Sequence, residues 1–429
     1  MSSDVKYLLS LKAVRERSQI VWGAAKAGRL SHFDLHEDKL EVVAKFVTGV
    51  IERDFGPDKF DTIPPHGRWQ HFEVGNVPRV SKLIESWKAA DSGLEDTEIC
   101  RRLIDLFFVS VLLDAGAGDV WRYIEPNTSN KYERSEGIAV ASLYMFNELA
   151  FTANKDDKTP KVDGKGLENL KVEELAAGFQ VSSTNEMLGV DSRTGLLQSL
   201  GKSLLSLPQI FGPEGRPGNI VDYILSEGTA ELDILKLWDV LQTVLIPSWP
   251  KDRTSVNGSA LGDAWPLSTL KAEQARLGKS DSTDGIQPFH KLTQWLTYSL
   301  MVPFQRILHK TWSNAGSLTG LPEYRNGGLF VDLGVLTLKK ETLDKGLQAS
   351  GQDLPLYDAS SDVIVEWRAM TLALLDHLYE MIAARMTVGL SMAQVLEAGT
   401  WKSGREIAAK HRPETKSSPI LIRSDGTLF

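Results

Sequence analysis

The sequence predicts a mainly α fold, a multi-helical globular body with few short strands, and three observations predict it. Apolar residues recur at helical spacing over long stretches, period-two alternation is nearly absent, and 42% of the 429 residues are hydrophobic, enough for a large core. Helical periodicity starts at 8–27 and continues through 35–51, 97–113, 135–149, 192–207, 288–310 and 361–386. In the 192–207 segment Ser192 reads as the N-cap, Leu197, Leu200, Leu204 and Leu207 form one stripe, and Pro208 stops the helix. Only Leu329-Phe330-Val331 and Ile420-Leu421-Ile422 read as strands. No repeat and no low-complexity linker interrupts the chain, so 1–429 is expected to be one body, with an N-terminal helical lobe over 1–150 and a C-terminal helical lobe over 151–429. The segments 246–266 and 278–288 resist periodic assignment and are rich in Pro, Gly, Ser and Asp; irregular stretches of that length often border functional sites.

Composition excludes several classes. With 48 basic and 56 acidic residues the net charge is -8, which argues against nucleic acid as a partner, since that needs a concentrated basic surface. Cys100, the one cysteine, allows neither a disulfide framework nor a CxxC metal site, and its place in an apolar helix marks a buried thiol. His66 and His71 are five apart, which suits neither a helical zinc pair nor a finger, so no metal or other cofactor is expected. The N-terminal segment has no secretory h-region, and the longest apolar run, 103–113, is too short to span a bilayer and contains Asp105. A cytoplasmic protein without a membrane partner is expected; the sequence leaves its oligomeric state open.

Candidate chemistry lies in a few stretches. In 288–300, Phe289, Leu292, Leu296 and Leu300 form one helical face, and Lys291, Gln294 and Tyr298 form a polar face that could hold a small ligand or simply meet solvent. Asp332 stands among Phe330, Val331, Leu333 and Val335, where a carboxylate is costly unless paired or used; the alternative is a cap or turn residue. Glu366 shares a helical face with Ala369, Met370 and Ala373, and either binds ligand or pairs with an arginine such as Arg368. In the N-terminal half, Arg68 and His71 of one Gly/Pro-rich run, Trp121 and Arg122 of another, and Arg134 just before the expected N-cap Ser135 offer hydrogen-bond donors and a phosphate cradle. There is no Walker loop, GxGxxG, GxSxG or HExxH motif.

These stretches, PPHGRWQHF (64–72), DAGAGDVWRY (114–123), RSEGIAVASLYMF (134–146), RPGNIVDYI (216–224), PFHKLTQWLTYSL (288–300), GLFVDLGVLTLK (328–339) and VEWRAMTLALLD (365–376), resemble the ordered landmarks of the uracil catabolism protein 4 family over nearly the whole chain. The resemblance implies a step in a ring-opening route of uracil breakdown, in which uracil is first joined to ribose phosphate and urea is later released from a ribosylurea-type intermediate. A more distant similarity, in the order Phe289-His290-Lys291 to Gln294, then Asp332 after a hairpin in the C-terminal lobe, then Glu366, Arg368 and Ala369, is to the queuosine salvage N-ribosyl hydrolases. Their architecture is similar to that of the helix-hairpin-helix glycosylases. Where that family has Asp-Tyr-Arg, this chain has Asp332-Leu333-Gly334, consistent with a smaller leaving group.

By motif position the resemblance implies catalytic roles for Asp332, Lys291 and His290. Glu366, Gln294, Tyr298, Trp121, Arg122 and His71 would meet a ribosylated pyrimidine-derived substrate, and Arg68, Arg122, Arg134 and Arg325 compete for a phosphate. The expected reaction is metal-independent hydrolysis of the N-ribosyl bond of ribosylurea or its 5-phosphate. Two alternatives stay open at this level, an amide or ureido hydrolase and a non-catalytic binding protein for a nucleotide-derived intermediate.

Overall fold

The structure, a computed structural model, describes residues 2–114, 116–118 and 120–423. Helices carry most of these residues, and strands come only as pairs of two or three residues. The chain folds into two compact units that interleave along the sequence, so their boundary is not a single break of the kind expected at residue 150.

The first unit holds the described residues of Met1–His66, Lys251–Lys291 and Gly316–Ser424. Its spine is the helix Asp362–Ala383, in which every residue from Val363 to Leu375 is buried; a helix buried on all sides has to be central. The helices Leu11–Lys26 and Leu40–Phe55 pack against it. Three strand pairs tie distant stretches together: Phe33–Leu35 runs antiparallel to Leu336–Leu338, Leu356–Asp358 parallel to Leu421–Arg423, and Ala264–Pro266 antiparallel to Ile286–Pro288. The last pair orders parts of both irregular segments.

The second unit contains Gly67–Pro250 and Leu292–Ala315. Its centre is the helix Asp96–Leu112, packed against Arg134–Asn147 and Val190–Leu205. The fully buried Asp105 on that helix is pushed up to about 6 by burial, although the Arg216 guanidinium at 2.7 Å and the Gly218 amide at 2.7 Å favour its charged form. No helix among the described residues is long and apolar enough to cross a membrane.

Several expected elements shift. Leu329-Phe330-Val331 is not a strand: it lies in the helix Tyr324–Asp332, because Glu323 caps that helix and Gly327 lets it close on Trp367, whose ring carbon would lie 2.8 Å from an added Cβ. A three-residue apolar run carries no period to tell helix from strand. The helix expected over 288–310 begins only at Lys291, since Ile286–Pro288 is a strand and His290 turns the chain with φ 46°. The expected N-caps Ser192 and Ser135 lie inside helices capped by Gly189 and Glu133. The helix expected from residue 35 starts at Leu40, after the Phe33–Leu35 strand. Ile420-Leu421-Ile422 does contribute to a strand, Leu421–Arg423.

Candidate functional site

In the first unit the helix Lys291–Arg306 begins on a buried ion pair. Asp263 accepts from both terminal nitrogens of Arg368 at 2.8 and 2.8 Å, from Trp265 Nε1 at 2.8 Å and from the backbone N–H of Lys291 at 2.9 Å. Burial would raise the Asp263 carboxyl, but Arg368 and these donors hold it well below the usual carboxylate range. The Asp263 carbonyl accepts from the amides of Phe289 and His290, and Arg368 stacks 3.9 Å from the centre of the Phe289 ring. His290 is fully enclosed and donates from Nε2 to the Leu8 carbonyl at 2.8 Å. Burial lowers its pKa and so favours the neutral imidazole, and the residue makes the bend that launches Lys291.

Glu323 stands near that lysine. It caps the helix Tyr324–Asp332, each carboxylate oxygen accepting one backbone N–H, Arg325 at 2.6 Å and Asn326 at 2.6 Å. The residue is half-buried, but its carboxyl end is enclosed, and burial pushes it up to about 7 against the pull of the Asn326 amide, Lys291 and His66. A carboxyl raised toward neutral pH and acted on by the charges of Lys291 and His66 is suited to acid–base work. His66 in turn donates from Nδ1 to Glu397 at 2.5 Å.

The other candidates in this unit are engaged within the protein. Asp332 ends its helix with both oxygens on Arg412, at 2.8 and 2.6 Å. Glu366 is fully buried and accepts from the amides of Ser31 and His32, each at 2.7 Å, and from the Thr269 hydroxyl, so it anchors the chain entering the Phe33–Leu35 strand. It does not pair with Arg368, which belongs to Asp263. Arg325 is buried and donates to the Lys416 carbonyl at 2.8 Å.

The second unit holds the remaining candidates. Gln294 and Tyr298 are buried, so the polar stripe they share is not a solvated face. The Arg68 guanidinium is enclosed, bonded to Asp114 at 2.7 Å, Ser110 Oγ at 2.8 Å and His71 Nδ1 at 3.1 Å. His71 packs on Trp295 with ring centres 5.4 Å apart. Trp121 is buried edge-on against Phe179 and donates to its carbonyl at 2.8 Å. Arg122 is half-exposed and pairs with Glu133 at 2.8 Å, and Arg134 opens its helix at φ 53°. Ala115 and Asp119 of the 114–123 run lie outside the described residues. Among the described residues, no group of three or more His, Cys, Asp or Glu is placed to hold a metal ion.

Residues 7–429 match the family described as Protein of unknown function (DUF1688). The chain belongs to this family. Two relatives align with it from end to end: Protein urg3 of Schizosaccharomyces pombe (strain 972 / ATCC 24843), 51% identical over 436 residues with 100% of both chains covered, and Uracil catabolism protein 4 of Lachancea kluyveri, 45% identical over 445 residues with 100% of both chains covered. The resemblance drawn from the landmark stretches therefore holds. In this DUF1688 chain the sequence pattern brought Lys291 forward but passed over Glu323, Asp263 and the His66–Glu397 pair. For Glu323 the available signal was a carboxylate directly before a glycine-containing helix, a weak one because Glu is not among the favoured N-caps.

Proposed function

We propose that this DUF1688 chain acts in uracil catabolism as a hydrolase of the N-ribosyl bond in ribosylurea or its 5-phosphate, releasing urea and ribose or ribose phosphate. The pathway is supported by the name of the Lachancea kluyveri relative, which aligns over its full length. The reaction is supported by one observation above the others: an enclosed carboxyl, Glu323, poised at about 7 near Lys291.

Breaking the bond from the anomeric carbon to nitrogen leaves positive charge on the sugar and negative charge on urea. In its ionised form Glu323 stabilises the first and takes a proton from the attacking water, while the Lys291 ammonium holds the ureido oxygen. Asp332, the carboxylate the sequence puts forward for this role, is already neutralised by Arg412, so the task passes to Glu323.

The test is to incubate the purified protein with ribosylurea and with ribosylurea 5-phosphate and to follow urea and reducing sugar together, beside Glu323→Gln and Asp332→Asn. Equimolar release of both products, reduced about a hundred- to ten-thousand-fold by Glu323→Gln, is expected. Nitrogen released without free sugar would point to a ureido hydrolase, and tight binding without turnover to a binding protein; either sinks the proposal.

A further inference from the structure

We propose that Asn326 determines specificity for the ureido leaving group, its side-chain oxygen Oδ1 accepting a hydrogen bond from the terminal NH2 of the substrate. This assignment rests on the hydrolase reading above and deepens it.

Asn326 stands in the first turn of the helix Tyr324–Asp332 and is tied directly to Glu323, its backbone N–H donating to Glu323 Oε1 at 2.6 Å. Its side-chain Nδ2 donates at 3.1 Å to the Leu321 carbonyl, which also accepts the Glu323 amide at 2.9 Å. The Leu321 carbonyl therefore decides which way the side-chain amide is turned, since the opposite orientation would set two carbonyl oxygens against each other. Asn326 is 1% exposed, and among the described residues no donor reaches Oδ1.

A buried amide oxygen without a donor is costly and calls for an explanation. The surrounding chain is not free to supply one by shifting. An added Cβ on Gly327 would lie 2.8 Å from the Trp367 ring, and one on Gly328 would lie 3.0 Å from Pro419 Cδ, so the next two residues are wedged in place. The preceding side chain is directed elsewhere: Arg325 donates to the Lys416 carbonyl at 2.8 Å and stacks 4.9 Å over the Tyr324 ring. Asn326 is thus a fixed acceptor beside the Glu323 carboxyl, and the donor that completes it comes from the substrate.

The chemistry of that donor is narrow. An acceptor-only oxygen takes an N–H or O–H, and an enclosed one takes it from a small group. Glu323 and Tyr324 are partly exposed, which leaves one side of the first turn toward solvent. The outer amide of a ureido group brings an NH2 donor and a carbonyl acceptor together. With its carbonyl oxygen on the Lys291 ammonium, as in the reaction above, its NH2 is the donor that Asn326 Oδ1 lacks.

Wild type and Asn326→Leu, each checked for a native melting profile, test this on two substrates. One is ribosylurea 5-phosphate. The other is N-acetylribosylamine 5-phosphate, in which a methyl group of similar size replaces the terminal NH2 while the carbonyl and the glycosidic N–H remain. Release of reducing sugar is followed for both. Wild type is expected to favour the urea compound in kcat/KM by about a hundred-fold or more, because the analogue leaves the buried oxygen unpaired. In Asn326→Leu the preference should fall to within about ten-fold, the loss falling on the urea compound. A residue that only supports the fold would slow both substrates alike, so an unchanged preference in the variant overturns the assignment. A wild type that cleaves the two compounds within a few-fold, or prefers the acetyl compound, overturns it as well, and that result stands even if Asn326→Leu does not fold. In these cases the hydrolase remains. Sugar released by wild type from neither compound removes the hydrolase reading and this assignment together.

Discussion

Asp263 and Arg368 meet through both carboxylate oxygens and both terminal guanidinium nitrogens, at 2.8 Å each, with 4% and 2% of their surfaces exposed. The pair also fixes where the Lys291 helix begins. Arg368→Met leaves an uncompensated carboxylate in the core and is expected to cost about 3–5 kcal/mol in urea unfolding. The double variant Asp263→Asn/Arg368→Met should recover part of that loss, and losses that merely add would contradict the pairing. The Asp263 carboxyl is held below its unfolded value, so its contribution is present above the ordinary aspartate range and is lost as pH falls through the depressed value. Acid unfolding of wild type is expected to be steeper than that of the double variant.

Glu323 has the opposite sign. Its carboxyl is raised from 4.5 to about 7, so the protonated form is the one the fold prefers, and stability present below pH 4.5 is lost as pH rises toward 7. The loss is at most about 3 kcal/mol, less to the extent that solvent reaches this half-buried residue. Glu323→Gln should therefore flatten the stability profile between pH 4.5 and 8 and melt higher than wild type at pH 8, while losing turnover. That combination, more stable and less active, separates a working carboxyl from a simple helix cap, whose removal would lower stability at every pH.

Asp332→Asn removes one partner of the Asp332–Arg412 pair, whose side chains are 4% and 14% exposed. A loss of about 1.5–3 kcal/mol is expected, as for a charged hydrogen-bonded partner. Activity per folded molecule should stay within a few-fold of wild type, read as kcat corrected by active-site titration. A thousand-fold fall in kcat in a fully folded Asp332→Asn protein would return the catalytic role to Asp332 and remove it from Glu323.

The fold class was legible because helical periodicity is a local property: Asp362–Ala383 and Asp96–Leu112 reveal themselves through their own residues. Interleaved packing is not local. Nothing in Asp263 itself announces Arg368, 105 residues further on, and nothing in His66 announces Glu397, 331 residues away. Lys291 was put forward because it stands on a periodic polar stripe, whereas Glu323 acquires its character only through burial. Asp332 and Glu366 showed correctly that a carboxylate in apolar surroundings needs an explanation; the Arg412 guanidinium and the amides of Ser31 and His32 supply it. Composition can flag an expensive charge, but whether protein or substrate compensates it depends on contacts the pattern does not encode.

Cys100 gives the last test, because its expected silence is specific. Burial on the Asp96–Leu112 helix pushes the thiol far above its ordinary range, the nearby Arg101 charge pulling down and Asp222 pushing up by less. Since the thiolate is the reactive form, the native protein should resist a thiol reagent that labels the denatured chain at once. Labelling under native conditions then reports opening of this helix, and its rate should rise with denaturant in parallel with global unfolding. Cys100→Ala should keep full turnover, with a stability loss set by the small void it leaves. Rapid native labelling, or loss of turnover in Cys100→Ala at unchanged folding, would place a reactive thiol where the structure has a packed core.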